Sequence, residues 1–212
     1  MTDFTEFPKI SRLFRDIVIT EKIDGTNAQI CIDRVPQGGP YDHDSALYMT
    51  TMLLSDPDMG PLETLETITL RLRCGSRTRW ITPKDDNFGF ASWVWENGRD
   101  LFQLGEGQHF GEWWGKGIQR GYGLQERRFS LFNTSRWNDD AVRPSCCHVV
   151  PTLYEGLFNT EMIRLEAEVL WHRGSVAAPG FMKPEGIVVF HKHSNSLFKY
   201  TLKNDEAKGK QP

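Results

Sequence analysis

Apolar positions recur at period two in short runs along most of this chain, and at a period of three to four in only two windows. Ile17, Val18 and Ile19 lead through Thr20 and Glu21 to Lys22, and Ala28, Ile30 and Ile32 then repeat every second residue. Asp24-Gly25 lies between them, so the segment reads as strand, Asp-Gly turn, strand. Further short apolar strands are predicted at Arg71 to Arg79, Phe110 to Trp114, Phe129 to Asn133, His148 to Tyr154, Gly186 to His191 and Leu197 to Leu202. Phe90, Val94, Asn97, Leu101 and Leu104 step at helical spacing, with Gly98 as a weak point. A second helix opens at Asn159 or Thr160, carries Met162, Ile163, Leu165, Val169 and Leu170 on an apolar stripe, and ends at His172, Arg173 and Gly174. From Asp33 to about Pro61, Gly, Pro, Asp and Ser predict a long connection with one strand in its apolar middle. Many strands with few helices predict an α+β, largely antiparallel architecture.

At 212 residues with 39% hydrophobic content, the chain suits a single domain, 1–212, with its own core. Formal net charge is −3, so a nucleic-acid partner has to rest on local basic patches. Arg71, Arg73, Arg77 and Arg79 occupy alternate positions, which in one strand puts all four on one face as a candidate nucleic-acid surface. Cys31, Cys74, Cys146 and Cys147 show no paired ligand spacing, and neither an apolar leader nor a membrane-spanning stretch is present. These features predict a reduced, cytoplasmic protein without membrane contact.

Candidate chemistry begins with Lys22, whose amine on a glycine-containing turn is a potential covalent nucleophile. Three later strands carry charges among apolar residues: Glu112 before Trp113-Trp114, Glu185 before Gly186-Ile187-Val188, and Lys199 and Lys203 around Phe198 and Tyr200. Buried charges need partners. Two carboxylates and two amines serve a site that binds a nucleotide triphosphate, activates a lysine and manages a divalent metal, and equally serve a structural ion-pair network.

The order of these segments resembles the covalent nucleotidyltransferases, and within them the ATP-dependent polynucleotide ligases of the RNA-ligase branch. Lys22-Ile23-Asp24-Gly25 is similar to their nucleotidyl-acceptor motif and Gly75-Ser76-Arg77 to the arginine segment after it. Gly111-Glu112 resembles the third motif, and Arg128 to Asn133 the aromatic motif that follows. Glu185-Gly186-Ile187-Val188 resembles the fourth, and Phe198-Lys199 with Lys203 the fifth. Thr26-Asn27 after the glycine is similar to RNA ligases rather than to DNA ligases or capping enzymes.

The resemblance implies an ATP-grasp-like ligase domain in which two antiparallel sheets, flanked by helices, form a nucleotide cleft. It implies a lysyl-AMP intermediate on Lys22, formed from ATP with Mg²⁺ or Mn²⁺, then AMP transfer to a 5′-phosphate and joining to a 3′-hydroxyl, with RNA as the expected substrate. Lys22 would have to be a neutral amine, its pKa lowered by burial and by cations such as Lys199, Lys203 and the metal. Glu185, and Glu112 directly or through water, would hold the metal. Glu21, Ile23, Asn27, Arg77 and Glu112 would contact the nucleotide, with Glu112 accepting from a ribose hydroxyl. Phe129 or Phe132 on one side and Val188 on the other would sandwich the adenine. Two departures stand out: Thr201 occupies the place of a usual second lysine, and Asn133 that of an aspartate. On this reading the chain is expected to lack a C-terminal OB or helical domain, whose function a protein partner would then supply. The rival readings are a nucleotidyltransferase that uses GTP or acts on DNA, and a non-ligating module that binds nucleotides or nucleic-acid ends.

Overall fold

The computed structural model describes residues 4–35, 48–54 and 66–202. Elements follow in the order β1 (Asp16–Lys22), β2 (Thr26–Val35), β3 (Tyr48–Leu54), β4 (Glu66–Ser76), β5 (Trp80–Ile81), α1 (Phe90–Leu101) with a 3-10 turn at Phe102–Leu104, β6 (Gly107–Gly115), β7 (Arg127–Leu131), α2 (Thr134–Trp137), β8 (His148–Val149), β9 (Thr152–Leu157), α3 (Thr160–Arg173), β10 (Gly186–His191) and β11 (Ser196–Thr201). The fold class is α+β, with two mostly antiparallel sheets, as the period-two pattern predicts. The chain divides into two compact units, one made by the segments up to Ile23 and from Val150 onward, the other by Asp24–Val149.

The first unit holds the four-stranded sheet β11-β10-β1-β9. Ile17 and Ile19 of β1 and Ile187 and Val189 of β10 form one face of it, covered by Ala167 and Leu170 of α3. Asn159 caps α3 by accepting from the Glu161 amide at 2.8 Å. The stripe of α3 differs from expectation. Ala167 and Leu170 are buried, with Ile163 packed beside them, whereas Leu165 is exposed.

The second unit holds the larger sheet, in the order β3-β4-β2-β6-β7-β8 with β5 on β4. Ala28, Ile30 and Ile32 alternate onto its buried face with Leu72, Cys74, Trp113, Phe129 and Leu131. Helix α1 covers that face with Phe90, Ala91, Val94 and Leu101. Asp86 opens the helix, accepting from the amides of Ala91 at 2.8 Å and Ser92 at 3.0 Å, where a carboxylate also suits the helix dipole. The Asp24-Gly25 turn therefore joins two different sheets: β1 pairs with β9 and β10, and β2 with β4 and β6. Local alternation identified both strands, but only long-range pairing decides their partners. Among the described residues no helix is long and apolar enough to cross a membrane.

Candidate active site

Lys22 is the last residue of β1 and stands opposite Gly186, with Thr20 opposite Val188, and Val188 in turn opposite Lys199. Directly opposed residues of antiparallel strands share a face. Lys22, Val188 and Lys199 thus lie together on the face that α3 does not cover. Glu185, immediately before β10, reaches the same place, with Oε2 2.6 Å from Lys22 Nζ. The contact is an ion pair without hydrogen-bond geometry, and Oε2 is buried without a hydrogen-bond donor. The sequence leads to cations around Lys22, and among the described residues its amine is also ion-paired with a carboxylate. Gly186 is required beside it, because a Cβ there would collide with the Tyr200 carbonyl oxygen.

Glu21 faces the other way. Its carboxylate is 1% exposed and accepts from Ser175 Oγ at 2.6 Å, the Val176 amide at 2.8 Å and the Ala177 amide at 2.9 Å. Burial raises its pKa, and these three hydrogen bonds act in the opposite direction. Its side chain is occupied in holding the 175–178 loop rather than presented for a nucleotide. Ile23 is a core residue, 3% exposed. Lys203 lies outside the described residues.

In the second unit the acceptor-like turn is gripped from several directions. The Gly25 amide donates to Glu112 Oε1 at 3.1 Å. A Cβ on Gly25 would lie 2.5 Å from the Trp113 carbonyl oxygen and 2.7 Å from Trp114 Cβ, so close approach to β6 demands glycine. Asn27 stands opposite Glu112 across β2 and β6, which sets the two on one face. Thr26 accepts at Oγ1 from Asn87 Nδ2 at 3.0 Å. Asp24 is held by its amide, which donates to the Tyr122 hydroxyl at 2.8 Å, and by its carboxylate, which accepts from Arg120 Nε at 2.7 Å. The sequence reading did not single out Asn87, Arg120, Tyr122 or Ser175. The glycines at 115, 117, 121 and 123 were the one visible signal, marking a tight loop around Arg120 and Tyr122.

The two aromatic candidates separate cleanly. Phe129 is 0% exposed and packs 5.1 Å from the Phe90 ring and 5.9 Å from Trp93, so it is core and cannot stack on a nucleotide. Phe132, just past the end of β7, is 39% exposed and retains that option. Asn133 caps α2, accepting at Oδ1 from the Arg136 amide at 3.2 Å, which an aspartate would do equally well. The arginine stripe is shorter than expected. Arg71 and Arg73 share a face of β4 and both pair with Asp33, at 2.5 and 3.5 Å, and Arg73 lies 4.4 Å over the Trp80 ring. The strand ends at Ser76, where its amide donates to the Arg79 carbonyl oxygen, so Arg77 and Arg79 sit in an exposed turn and Arg79 pairs with Asp85.

Among the described residues, no cluster of three or more His, Cys, Asp or Glu side chains is arranged to hold a metal.

No curated protein matches the chain. Among solved structures it is similar to the apo form of a lysine-to-alanine mutant of an RNA ligase from Naegleria gruberi, at 18% identity and a TM-score of 0.48, covering 88% of this chain and 49% of that one. The chain thus spans about half the length of that ligase. The RNA ligase family model matches residues 15–201. That span takes in Lys22, Glu112, Glu185 and Lys199, and the chain belongs to the RNA ligase family.

Proposed function

We propose that the chain is an adenylyltransferase that joins RNA ends through a lysyl-AMP intermediate on Lys22. The observation that carries this reading is the placement of Lys22, Val188 and Lys199 on the face of the sheet opposite α3, with Glu185 Oε2 2.6 Å from the amine. A neutral amine is needed for attack, and an ion-paired lysine carries a proton. That proton would leave to solvent, since Glu185 is assigned as the carboxylate that would hold the cation. Lys22 Nζ then attacks the α-phosphorus of ATP, a P–N bond forms, the bond to the bridging oxygen breaks and pyrophosphate leaves. Lys199 would stabilise charge on the triphosphate. The phosphate of an RNA 5′ end next displaces the lysine, and a 3′-hydroxyl displaces AMP.

Glu185 Oε2, buried and without a hydrogen-bond donor, suits a divalent cation, so Mg²⁺ would be held by Glu185 and by phosphate oxygens. Bound there, the cation would neutralise triphosphate charge. Glu112 is kept for the ribose rather than the metal, since Oε1 already receives the Gly25 amide. Asn27 beside it, and the exposed Arg77, are assigned to ribose or phosphate. Val188, on the same sheet face as Lys22, is assigned to the adenine, and the exposed Phe132 is kept as the proposed stacking aromatic. Arg77 and Arg79 are the more accessible members of the basic run for RNA.

Incubation with each of the four α-labelled nucleoside triphosphates, followed by labelled 5′-phosphorylated RNA or DNA, tests the reading. Label transfer from ATP alone and sealing of RNA are expected. Exclusive labelling from GTP, sealing of DNA only, or ATP binding without label transfer would each replace it with another reading.

A further inference from the structure

One loop holds the residue two positions after the nucleophile, and its construction is costly. Between Gly115 and Leu124 the chain makes successive tight turns, with hydrogen bonds from Ile118 to Gly115 at 3.0 Å, Gly121 to Ile118 at 2.8 Å and Leu124 to Gly121 at 3.0 Å. Gly115, Gly117, Gly121 and Gly123 have positive φ, which suits glycine, but so do Gln119 at 45° and Tyr122 at 51°. A left-handed tyrosine is strained, and such strain persists only where the surroundings over-determine it. Here they do. Ile118 is 0% and Tyr122 3% exposed, and the Tyr122 ring meets Trp114 edge-on at 5.0 Å.

The strained residue and its neighbour deliver two polar groups to a single target. The Tyr122 hydroxyl accepts the Asp24 amide at 2.8 Å, and Arg120 Nε donates to Asp24 Oδ2 at 2.7 Å. Stability alone explains this poorly. The Asp24 and Arg120 side chains are 27% and 26% exposed, and ion pairs that solvent reaches contribute little to folding. Holding the amide and the carboxylate of one residue together does, however, fix that residue's orientation. Asp24 is joined to Lys22 through Ile23 alone, and the next amide, that of Gly25, is fixed by Glu112.

We propose that Arg120 and Tyr122 are positioning residues for the adenylylation of Lys22, the loop acting as a clamp on the Asp24–Gly25 turn. The inference rests on Lys22 being the nucleotidyl acceptor. Its effect is on the rate of attack rather than on ATP affinity, because misplacing a nucleophile by a fraction of an ångström lowers the rate without removing any contact to the nucleotide.

Tyr122→Phe removes the hydroxyl and keeps the buried ring, and Arg120→Gln removes the cation, with Arg120→Lys as its conservative partner. Amide hydrogen exchange of the peptide covering residues 22–27, thermal midpoint and single-turnover adenylylation at varied ATP are measured on each full-length variant. Tyr122→Phe should speed exchange at Asp24, leave the midpoint within a few degrees, and lower the maximal adenylylation rate at least about tenfold while the half-saturating ATP concentration stays within about twofold. Arg120→Gln should do the same, and Arg120→Lys should recover part of the rate. Unchanged exchange at Asp24 would show that the loop does not hold the turn, and faster exchange with a wild-type rate would show that the hold is structural only; either overturns the proposal. A wild-type chain that forms no adduct, with the exchange difference intact, would instead refute the acceptor reading and remove the clamp's function with it.

Discussion

Replacing Glu21 separates its structural duty from the chemistry of its neighbour Lys22. Glu21→Ala leaves three donors without their acceptor: the Ser175 hydroxyl and the amides of Val176 and Ala177. Each buried donor so stranded costs about 1–3 kcal/mol, so a loss of at least about 3 kcal/mol is expected, before any cavity term. For a chain of this size that is on the order of 10 °C in melting temperature. Glu21→Gln should behave differently. Its amide oxygen can still receive both backbone amides and its NH₂ can donate to Ser175 Oγ, so a loss within about 1 kcal/mol is expected near neutral pH. The pH dependence has a definite sign. Burial raises the Glu21 carboxyl above the usual value of 4.5, so the folded chain holds this proton more tightly than the unfolded chain. The stability that protonation contributes is complete below about pH 4.5 and is lost as pH rises through the folded-state value. The glutamine cannot titrate, so its stability relative to wild type should climb across that window. Urea unfolding of the three proteins at several pH values is the assay. Equal losses for alanine and glutamine, or a glutamine protein that loses ground to wild type as pH rises, would refute the reasoning.

Other consequences of the structure are equally open to measurement. Gly25→Ala places a Cβ 2.5 Å from the Trp113 carbonyl oxygen, so denaturant unfolding should show a loss of about 1–3 kcal/mol, with adenylylation falling in parallel. Phe129→Ala should cost about 3–5 kcal/mol in the same assay, whereas Phe132→Ala should leave stability nearly unchanged and raise the ATP concentration for half-maximal labelling. Glu185→Ala and Lys199→Ala should each slow label transfer from ATP about a hundredfold or more in single-turnover kinetics.

Much of this architecture is legible in the residues, and the rest depends on contacts that sequence order hides. Period-two alternation through Ala28, Ile30 and Ile32 marks β2 and its buried face because both follow from local backbone geometry. The destination of β1 and β2 in different sheets does not, since partners distant in sequence decide it, more than a hundred residues away for β1 and several tens away for β2. Alternation also separates the two aromatics: Phe129 shares parity with Leu131 and so with the core, while Phe132 falls beyond the strand. The arginine run failed for a complementary reason, because Gly75-Ser76 ends β4 before Arg77 and Arg79 can continue its face. In α3 a small residue, Ala167, is one of the two buried positions, although bulk and hydrophobicity do not mark it in the sequence. Of the candidate site, the lysine, the carboxylates and Lys199 were visible as charges in apolar strands. The Ser175 loop behind Glu21 and the Arg120–Tyr122 clamp were not, since nothing local ties them to residues about 150 and 100 positions earlier.

Intact-mass spectrometry of the chain after incubation with ATP and Mg²⁺ tests the assignment of Lys22 most directly. The wild type should gain the mass of one AMP, with peptide mapping to Lys22, and both Lys22→Ala and Lys22→Arg should show none, since arginine stays protonated and is no nucleophile. An undiminished adduct in Lys22→Ala, or an adduct mapping to another residue in the wild type, would contradict the account.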